Sequence, residues 1–318
     1  MKLVIQIPCY NEEEVLPITI EALPKTVDGV DEIEVLVIDD GSTDNTEAVA
    51  KSLGAKVVKL PCNKGLAKAF VAGLSASLEM GADIIVNTDA DNQYCASDIE
   101  KLIQPILNNS ADIVIGARPV GKIKEFSLVK RCLQKLGSAV MRMLSSTTVK
   151  DAPSGFRAFS KNAAMQMNVF DNYTYTLETI IQARAKGLII ENVDINVNNA
   201  TRKSRLFKNM YYYICKSVLT MLRMFIIYRP FRFFIILSLI LLVAGLLISG
   251  RFVFYYLNGM GRGHIQSLIF ASVFLISGVQ VALIAILAEL ISINRKLLED
   301  IQKRVKNIEL QKNSDGLK

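Results

Sequence analysis

Short apolar runs alternate along the first part of the chain with segments whose apolar residues recur at helical spacing. The apolar runs resemble buried strands and occupy residues 3–7, 34–38, 56–60, 84–87 and 113–116. Helical spacing occupies residues 13–22, 43–53, 66–80 and 96–108. This alternation predicts an α/β fold, with a mostly parallel sheet flanked by helices. In such a fold the ligand site lies at the carboxyl ends of the strands.

Two long apolar segments follow, at about residues 231–257 and 265–288. Each exceeds the roughly 20 residues that a helix needs to cross the hydrocarbon core of a membrane. They predict a C-terminal two-helix transmembrane hairpin at 229–289. Basic residues flank the hairpin, at Arg229, Arg232, Arg295, Lys296, Lys303, Arg304 and Lys306, whereas the loop between the helices holds Arg251, Arg262 and His264. The positive-inside rule therefore predicts a multi-pass protein of the inner or plasma membrane, with both termini and the 1–228 domain in the cytoplasm.

Three further segments combine apolar and basic positions. Residues of about 122–145 and 205–228 have the pattern of basic amphipathic helices, which favours a membrane interface over ordinary packing helices. Residues 290–318 predict a cytosolic helix and tail with one apolar stripe, formed by Ile293, Leu297, Ile301, Val305 and Ile308. That stripe either pairs helices in a homo-oligomer, a dimer or tetramer, or lies on the bilayer, and the pattern leaves both open.

Charge and cysteine content narrow the class of partner. The net charge is +7, and many basic residues flank the apolar segments, which favours lipid and phosphate partners and excludes nucleic acid as the expected partner. The five cysteines form no Cys-x-x-Cys pair, which argues against a disulfide framework or a zinc knuckle.

The strongest candidate for chemistry is the acidic sequence that follows the run at 84–87. Asp89 and Asp91 lie at a strand end, where a turn can direct two carboxylates at one hard cation. Mg²⁺ and Mn²⁺ prefer such oxygen ligands and also bind a diphosphate. A solvated Asp-rich turn is the alternative for this sequence alone, but its position after a buried strand favours a metal site.

Two more polar clusters end strands. Asp39 and Asp40 follow the run at 34–38, where an acidic pair can accept hydrogen bonds from a ribose or a base. Asn11 and Glu12 follow the first run, close enough to the turn to contact a nucleotide. The residues next to these clusters have a plainer use: Ser42 or Thr43 can cap a helix, and Glu13 and Glu14 stabilise a helix N-terminus.

The order of these motifs resembles a known family. The sequences Ile7-Pro8-Cys9-Tyr10-Asn11-Glu12, Asp39-Asp40-Gly41-Ser42-Thr43-Asp44, Asn63-Lys64-Gly65 and Asp89-Ala90-Asp91-Asn92-Gln93 are similar to those of family 2 inverting glycosyltransferases with a GT-A (Rossmann-like) fold. The resemblance covers about residues 1–228 and is nearest to the membrane-anchored enzymes of the dolichol-phosphate mannose synthase and polyprenyl-phosphate glycosyltransferase type.

The resemblance implies roles for particular residues. Donor-binding roles fall to Pro8, Tyr10, Asn11, Glu12, Asp39, Asp40, Asn63, Lys64, Gly65 and Asp89, and to Arg202, Ser204 and Arg205 of a basic loop that closes over the donor phosphates. The metal, Mg²⁺ or Mn²⁺, falls to Asp89, Asp91 and Gln93. The catalytic group comprises Asp91 with Arg118, Arg131 and Ser138, which would bind the lipid phosphate, and Arg157, which is either catalytic or a brace for the acidic cluster.

The implied reaction moves one sugar, with inversion, from a nucleotide-sugar to a polyprenyl phosphate such as undecaprenyl or dolichyl phosphate at the cytoplasmic face. UDP is favoured over GDP in the donor by bacterial analogy. Because the chain has no tryptophan, it lacks the Gln-x-x-Arg-Trp motif of processive synthases, which favours single transfer. The alternatives are another lipid or lipid-linked saccharide acceptor, and a non-catalytic membrane scaffold of the same fold.

Overall fold

The computed structural model describes residues 1–119, 149–169, 175–198, 219, 222–223, 225–259 and 265–315. The chain divides into two compact units, one of residues Met1–Met221 with Lys303–Lys318 and the other of residues Leu222–Gln302.

The first unit is built on a seven-stranded sheet in the order β3-β2-β1-β4-β6-β5-β7. Neighbouring strands are parallel except at β6, which runs antiparallel to both β4 and β5. The strands are β1 (Lys2–Cys9), β2 (Glu32–Asp39), β3 (Lys56–Lys59), β4 (Ile84–Asn87), β5 (Ile113–Ala117), β6 (Arg157–Ser160) and β7 (Ile190–Asp194). The predicted mostly parallel α/β sheet is confirmed.

Helices cover this sheet. They are α1 (Leu16–Ala22), α2 (Thr46–Ser52), α3 (Leu66–Glu79), α4 (Ile99–Leu107), α5 (Lys161–Gln166) and α6 (Tyr175–Ala185). The central strands are buried along their length because helices exclude water from them, and the side chains of Leu3, Ile5 and Ile7 are 0% exposed. On α4 the buried residues are Ile99, Leu102, Ile103 and Ile106, the spacing of a helix with one apolar face.

Two strands were not predicted. β6 is four residues long and carries the buried Arg157, and β7 alternates acidic and apolar residues without a long apolar run. Neither pattern distinguishes a strand from a loop in the sequence alone. The five predicted strands and four predicted helices are all present, although α1 begins at Leu16 and not at residue 13.

The second unit contains a pair of long apolar helices, α7 (Pro230–Leu257) and α8 (Ile265–Asp315), which extends beyond this unit. Both are long and apolar enough to cross a membrane. Small residues let them approach closely: a Cβ on Gly245 would lie 2.8 Å from Leu275 Cγ, and one on Gly278 would lie 2.7 Å from Leu242 Cγ. Where they meet, the Ser238 hydroxyl donates to the carbonyl oxygen of Gly278 at 2.7 Å.

The predicted boundary at 289/290 falls inside a helix. The second apolar helix and the predicted tail helix are one continuous helix, α8, of 51 residues. Its stripe residues Ile293, Leu297, Ile301, Val305 and Ile308 are exposed in the chain. No proline interrupts the segment from Ala285 onward, and Leu, Glu, Lys and Arg favour helix, so nothing in the sequence ends the helix there. The two predicted interface helices, at 122–145 and 205–228, lie almost wholly outside the described residues.

Candidate active site

The polar clusters of the sequence meet at one edge of the sheet. β1 and β2 pair in parallel with Cys9 opposite Asp39, and β1 and β4 pair with Gln6 opposite Asn87. The residues that follow these strands therefore emerge side by side, as expected for a parallel sheet. We name the two halves of the site after the ligands that the sequence analysis expects there: the nucleoside side at the ends of β1 and β2, and the phosphate side at the ends of β4 and β5.

On the nucleoside side, the loop after β1 is tied to the loop after β2. Asn11 has a φ of +55°, a left-handed conformation that asparagine tolerates better than most residues. Its Oδ1 accepts from the backbone N–H of Thr43 at 2.8 Å, and its own N–H donates to the Ser42 hydroxyl at 3.0 Å. The N–H of Glu12 donates to the Thr46 hydroxyl at 2.8 Å. Asn11 therefore shapes the cradle through its side chain.

Asp39 lies fully buried at the end of β2. Its Oδ1 accepts from the N–H of Ser42 at 2.8 Å, whereas Oδ2 accepts no hydrogen bond from the described part of the chain and lies 3.9 Å from Lys59 Nζ. A buried carboxylate oxygen without a donor is costly, and a ligand N–H or O–H would relieve that cost. Beside it, Pro8 is buried within β1, and Tyr10 is 43% exposed and accessible to a base or ribose.

Asp40 has a different task from its neighbour. Its two carboxylate oxygens accept from the backbone N–H groups of Lys64 and Gly65, each at 2.8 Å. The close approach of these two loops also requires the glycine at position 41, because a Cβ there would lie 2.5 Å from the backbone carbonyl carbon of Cys62. Asp40 thus holds the loop that leads into α3. The side chains of Asn63 and Lys64 in this loop are exposed to solvent.

On the phosphate side, Asp89 is held in a crowded, half-buried position. It is hydrogen-bonded to the Tyr94 hydroxyl, which also accepts from the N–H of Gly155 at 3.0 Å. A Cβ on Gly155 would lie 3.0 Å from Asp89 Oδ1, so a glycine is needed beneath the carboxylate. Burial and the nearby negative charge of Asp91 raise the pKa of Asp89 to about 7. A cation bound between the two carboxylates would reduce the repulsion between their negative charges.

The acidic pair has the chemistry of a divalent metal site, but not a complete one. Among the residues described, no group of three or more His, Cys, Asp or Glu side chains surrounds a common point. Carboxylate oxygens suit Mg²⁺ and Mn²⁺, and Mg²⁺ is usually bound through one or two carboxylates together with substrate phosphates. The residues present therefore fit a cation that takes its remaining ligands from a bound diphosphate and water. The N–H of Gln93 donates to Asp91 Oδ1 at 3.1 Å and orients that carboxylate.

A buried polar network holds the end of β4 below the acidic pair. Gln6 Nε2 donates to Asn87 Oδ1 at 2.8 Å, and Asn87 Nδ2 donates to the carbonyl oxygen of Gly155 and to the Tyr175 hydroxyl, each at 2.9 Å. The Tyr175 ring stacks on Phe70 with centroids 3.9 Å apart. These contacts fix the strand end that presents Asp89, because they connect β4 to β1, to the loop before β6 and to the helices α3 and α6.

Arg118 follows β5 and is gripped by Asp151. Its Nε and one terminal nitrogen donate to the two carboxylate oxygens at 2.7 and 3.1 Å, a bidentate pair. The Arg118 side chain is 10% exposed, and its charge is near enough to lower the pKa of Asp89, against the larger effect of burial. Asp151 uses two of the five guanidinium N–H groups, which leaves others that can meet a phosphate.

Arg157 is a brace and not a substrate contact. It is fully buried, and its guanidinium donates to the carbonyl oxygens of Ser154, Ala152 and Thr176 and to the Thr179 hydroxyl, at 2.7–2.9 Å. Burial lowers the pKa of Arg157 to about 10. Because the guanidinium is fully buried, these contacts favour the second of the two predicted roles of Arg157, a support for the loop beside the acidic pair.

Five predicted site residues, Arg131, Ser138, Arg202, Ser204 and Arg205, lie outside the described residues. Conversely, the structure adds Tyr94, Asp151, Tyr175 and Asn198 to the surroundings of the site. Tyr94 directly follows the predicted residue Gln93, and Asp151 lies six residues before the predicted residue Arg157, but no pattern in the sequence predicts the contacts that they make. Nothing in the sequence pattern distinguishes Tyr175 or Asn198.

Comparison with known proteins identifies the family of this chain. The family described as glycosyl transferase family 2 matches residues 4–167. The chain is 35% identical over 213 residues to the UDP-N-acetylglucosamine–dolichyl-phosphate N-acetylglucosaminyltransferase of Methanococcus voltae, covering 59% of this chain and 82% of that protein. It is 29% identical over 212 residues to the undecaprenyl-phosphate mannosyltransferase of Micrococcus luteus, covering 64% and 85%.

Solved structures support the fold. The glucosyl-3-phosphoglycerate synthase of Mycobacterium tuberculosis, in complex with Mn²⁺, UDP and glucosyl-3-phosphoglycerate, aligns with a TM-score of 0.55 at 23% identity, over 69% of this chain and 79% of that one. Another structure of that synthase contains Mg²⁺ and UDP. The GT-A fold is thereby confirmed, and the match of the family to more than half of the sequence shows that this chain is a member of glycosyl transferase family 2.

Proposed function

We propose that this glycosyltransferase moves a single sugar from a nucleotide-sugar, UDP-linked in preference to GDP-linked, to a polyprenyl phosphate, with inversion at the anomeric carbon. The observation that carries the proposal is the meeting of an acidic pair, Asp89 and Asp91, with an oriented arginine, Arg118, at one edge of the sheet. The named relatives from Methanococcus voltae and Micrococcus luteus add support for the acceptor.

Asp89 and Asp91 would hold a divalent cation, Mg²⁺ or Mn²⁺, together with the donor diphosphate. The cation would supply positive charge that stabilises the departing diphosphate. The residues beneath the pair keep it in position: Tyr94 holds Asp89, and the N–H of Gln93 holds Asp91. Gln93 thereby acts through its backbone as well as through any contact of its side chain.

The nucleoside would bind at the ends of β1 and β2. The buried Oδ2 of Asp39 offers an acceptor for a base N–H or a ribose hydroxyl, and the exposed ring of Tyr10 offers an apolar surface beside it. Asn11, Asp40 and Gly65 keep the surrounding loops in shape. The predicted contacts of Arg202, Ser204 and Arg205 with the donor phosphates complete this part of the proposal.

The acceptor phosphate would be held by Arg118, with Arg131 and Ser138 as further predicted contacts. Its oxygen attacks the anomeric carbon, the bond from that carbon to the diphosphate oxygen breaks, and the electron pair leaves with the diphosphate. A phosphate is already anionic near neutral pH, so the attack needs no strong general base. The chain contains one histidine, His264, and it lies between the apolar helices and far along the sequence from the site. Positioning and charge stabilisation would account for most of the catalysis.

The membrane hairpin would bring this site to the lipid acceptor. We propose that α7 and α8 cross the bilayer, with the catalytic unit and both termini in the cytoplasm, because the basic residues flank the hairpin. We propose in addition that the exposed apolar stripe of α8 pairs copies of the chain in a dimer or tetramer.

A panel assay tests the reaction. The purified full-length protein is incubated with UDP- and GDP-sugars, undecaprenyl phosphate and Mn²⁺ or Mg²⁺, and the lipid fraction is examined by mass spectrometry. The expected product is a polyprenyl-phosphate sugar that requires metal and disappears in Asp91→Ala.

Other outcomes identify the rivals. Slow hydrolysis of one donor without glycosylated lipid would mean that the acceptor is a different lipid or a lipid-linked saccharide. A folded protein that binds no donor would overturn catalysis and favour a non-catalytic membrane scaffold.

A further inference from the structure

A short segment after β7 runs beside the acidic loop and is bonded to it at several points. Val197 forms a β-bridge with Tyr94, and the N–H of Asn198 donates to the carbonyl oxygen of Gln93 at 2.9 Å. One step further back, the N–H of Asn196 donates to the buried carboxylate of Asp98 at 2.6 Å. The segment 196–198 is therefore fixed along one side of the loop that carries Asp91.

The side chain of Asn198 makes the most informative of these contacts. Its Nδ2 lies 3.0 Å from the carbonyl oxygen of Asn92, 3.3 Å from that of Tyr94 and 3.4 Å from Asn92 Oδ1. Asn92 has a φ of +53°, a left-handed conformation, and it directly follows Asp91. One amide group thus spans the turn in which Asp91 and Gln93 sit.

Asn198 is exposed at the surface, so core packing does not explain this arrangement. An exposed amide in this position contributes little to the stability of the fold, because water can replace its bonds after truncation. We expect the Asn198 amide to act instead on the conformation of the turn, because its bonds restrict the backbone of Asn92, which has a left-handed φ. Removal of a group that is hydrogen-bonded directly to a metal ligand typically weakens metal binding by about tenfold to a hundredfold, and Asn198, which bonds to the backbone next to Asp91, should have an effect at the lower end of that range.

We propose that Asn198 is a positioning residue for the metal and diphosphate site, because its amide holds the turn that carries Asp91 and Gln93. The inference rests on the proposed function, because it assumes that a cation and a nucleoside diphosphate bind here. It predicts that loss of the Asn198 amide weakens joint binding of the cation and the nucleotide and leaves the fold intact.

The test compares Asn198→Ala, Asn198→Gln and the control Asn162→Ala in the full-length protein. Asn162 is also exposed and hydrogen-bonded, with Oδ1 accepting from Gln166 Nε2 at 3.0 Å, but it lies on α5. Binding of Mn²⁺ in saturating UDP is measured from the loss of the free Mn²⁺ signal in electron paramagnetic resonance. The KM for the donor and kcat are measured in parallel, with the melting temperature as a check of folding.

In Asn198→Ala we expect the dissociation constant of Mn²⁺ in UDP to rise on the order of tenfold, with a matching rise in the KM for the donor and a smaller change in kcat. Asn198→Gln, which keeps an amide donor, should recover part of the affinity, and Asn162→Ala should resemble the wild type. If Asn198→Ala lowers the melting temperature, the comparison is made between Asn198→Ala and Asn198→Gln. Tighter binding of Mn²⁺ by Asn198→Gln, at the same melting temperature as Asn198→Ala, would still support the positioning role of the amide.

Two failures have different meanings. If the wild type binds Mn²⁺ in UDP and Asn198→Ala binds it equally well, the role of Asn198 is overturned and the proposed function stands. If the wild type itself binds no Mn²⁺ in the presence of UDP or any other nucleoside diphosphate, the proposed function fails, and the inference fails with it.

Discussion

The two sides of the site are built on different physical principles. On the nucleoside side, at the ends of β1 and β2, acidic and amide side chains accept from backbone N–H groups, as Asp40 does from Lys64 and Gly65, and the buried Asp39 Oδ2 can accept from a ligand. On the phosphate side, at the ends of β4 and β5, ionisable groups are packed against one another, and the pKa of Asp89 is raised to about 7 by burial and by Asp91.

The difference indicates what each side requires from its ligands. The loops of the nucleoside side are bonded to each other by Asn11 and Asp40, and they present Asp39 and Tyr10. The phosphate side has a frame held by Arg157 and Asn87, above which the charges of Asp89 and Asp91 repel each other. We therefore expect a cation and a diphosphate to bind to the phosphate side together.

The largest expected effect comes from breaking the phosphate side. Asp91→Ala removes one of the two predicted metal ligands, and kcat/KM for transfer should fall on the order of a thousandfold or more, since metal stabilisation of a leaving group amounts to several kcal/mol. Steady-state kinetics with the donor found in the panel assay measure this. Glu79→Ala, an exposed acidic residue at the end of α3, is the control and should retain wild-type rates. Equal activity of Asp91→Ala and the wild type would remove the pair from the mechanism.

Replacing the oriented arginine should have the next largest effect. Arg118→Lys keeps the positive charge but loses the bidentate grip on Asp151, so the acceptor phosphate would no longer meet a fixed guanidinium. We expect kcat/KM for the lipid acceptor to fall about a hundredfold, with slow donor hydrolysis retained.

The matched control for this substitution is Arg184→Lys, at an exposed arginine of α6. If Arg118→Lys instead lowers donor hydrolysis and lipid transfer equally, Arg118 serves the donor and not the acceptor.

A change on the nucleoside side should affect stability more than chemistry. Asp40→Ala leaves two backbone N–H groups without their acceptor, and we expect the free energy of unfolding to fall by about 1–3 kcal/mol, with at most a few-fold rise in the KM for the donor. Chemical denaturation in detergent measures the first quantity and steady-state kinetics the second. Asp28→Ala, at an exposed position, should change neither. A large fall in kcat at unchanged stability would give Asp40 a direct role in catalysis.

The smallest effect on sugar transfer is expected at a surface residue that is not one of the predicted site residues. Glu47, paired with Lys51 and Lys59 at the surface, has its pKa lowered to about 2. Because the folded-state pKa is lowered, the stabilisation is present above the usual glutamate pKa of 4.5 and is lost as the pH falls toward 2. Glu47→Gln should therefore reduce the acid dependence of the melting temperature between about pH 5 and about pH 3 and leave transfer rates unchanged. A fall in neutral-pH activity in Glu47→Gln would mean that its partner Lys59, which lies 3.9 Å from Asp39 Oδ2, contributes to the site.

Sequence patterns predicted the nucleoside side better than the phosphate side. The motifs around Asn11, Asp39 and Asp89 lie at ends of strands whose apolar runs are clear, so their meeting at one edge follows from a parallel sheet. The frame of the phosphate side depends on β6, which runs antiparallel and carries the buried Arg157. An arginine in a short run predicts an exposed position, and only the tertiary contacts with α6 reverse that expectation.

The supporting contacts were beyond reach for a related reason. Asp151 meets Arg118 across 33 residues, and Asn198 meets Asn92 across 106 residues. Spacing along the sequence does not encode such distant pairings. The continuous helix α8 is a different case, because the helix propensities of its residues indicate that nothing interrupts it. The predicted boundary at 289/290 lies where the apolar segment becomes polar, and a change of polarity does not end a helix.

We expect the acidic pair, Asp89 and Asp91, to form a metal site only together with a nucleoside diphosphate. Titration of the full-length protein with Mn²⁺, in the presence and absence of saturating UDP, tests it through the free Mn²⁺ signal in electron paramagnetic resonance, with GDP as a second nucleotide. The account predicts one Mn²⁺ bound per chain with nucleotide, a dissociation constant at least about tenfold higher without it, and loss of binding in Asp91→Ala. Equal binding of Mn²⁺ with and without nucleotide, or binding that survives Asp91→Ala, would contradict it.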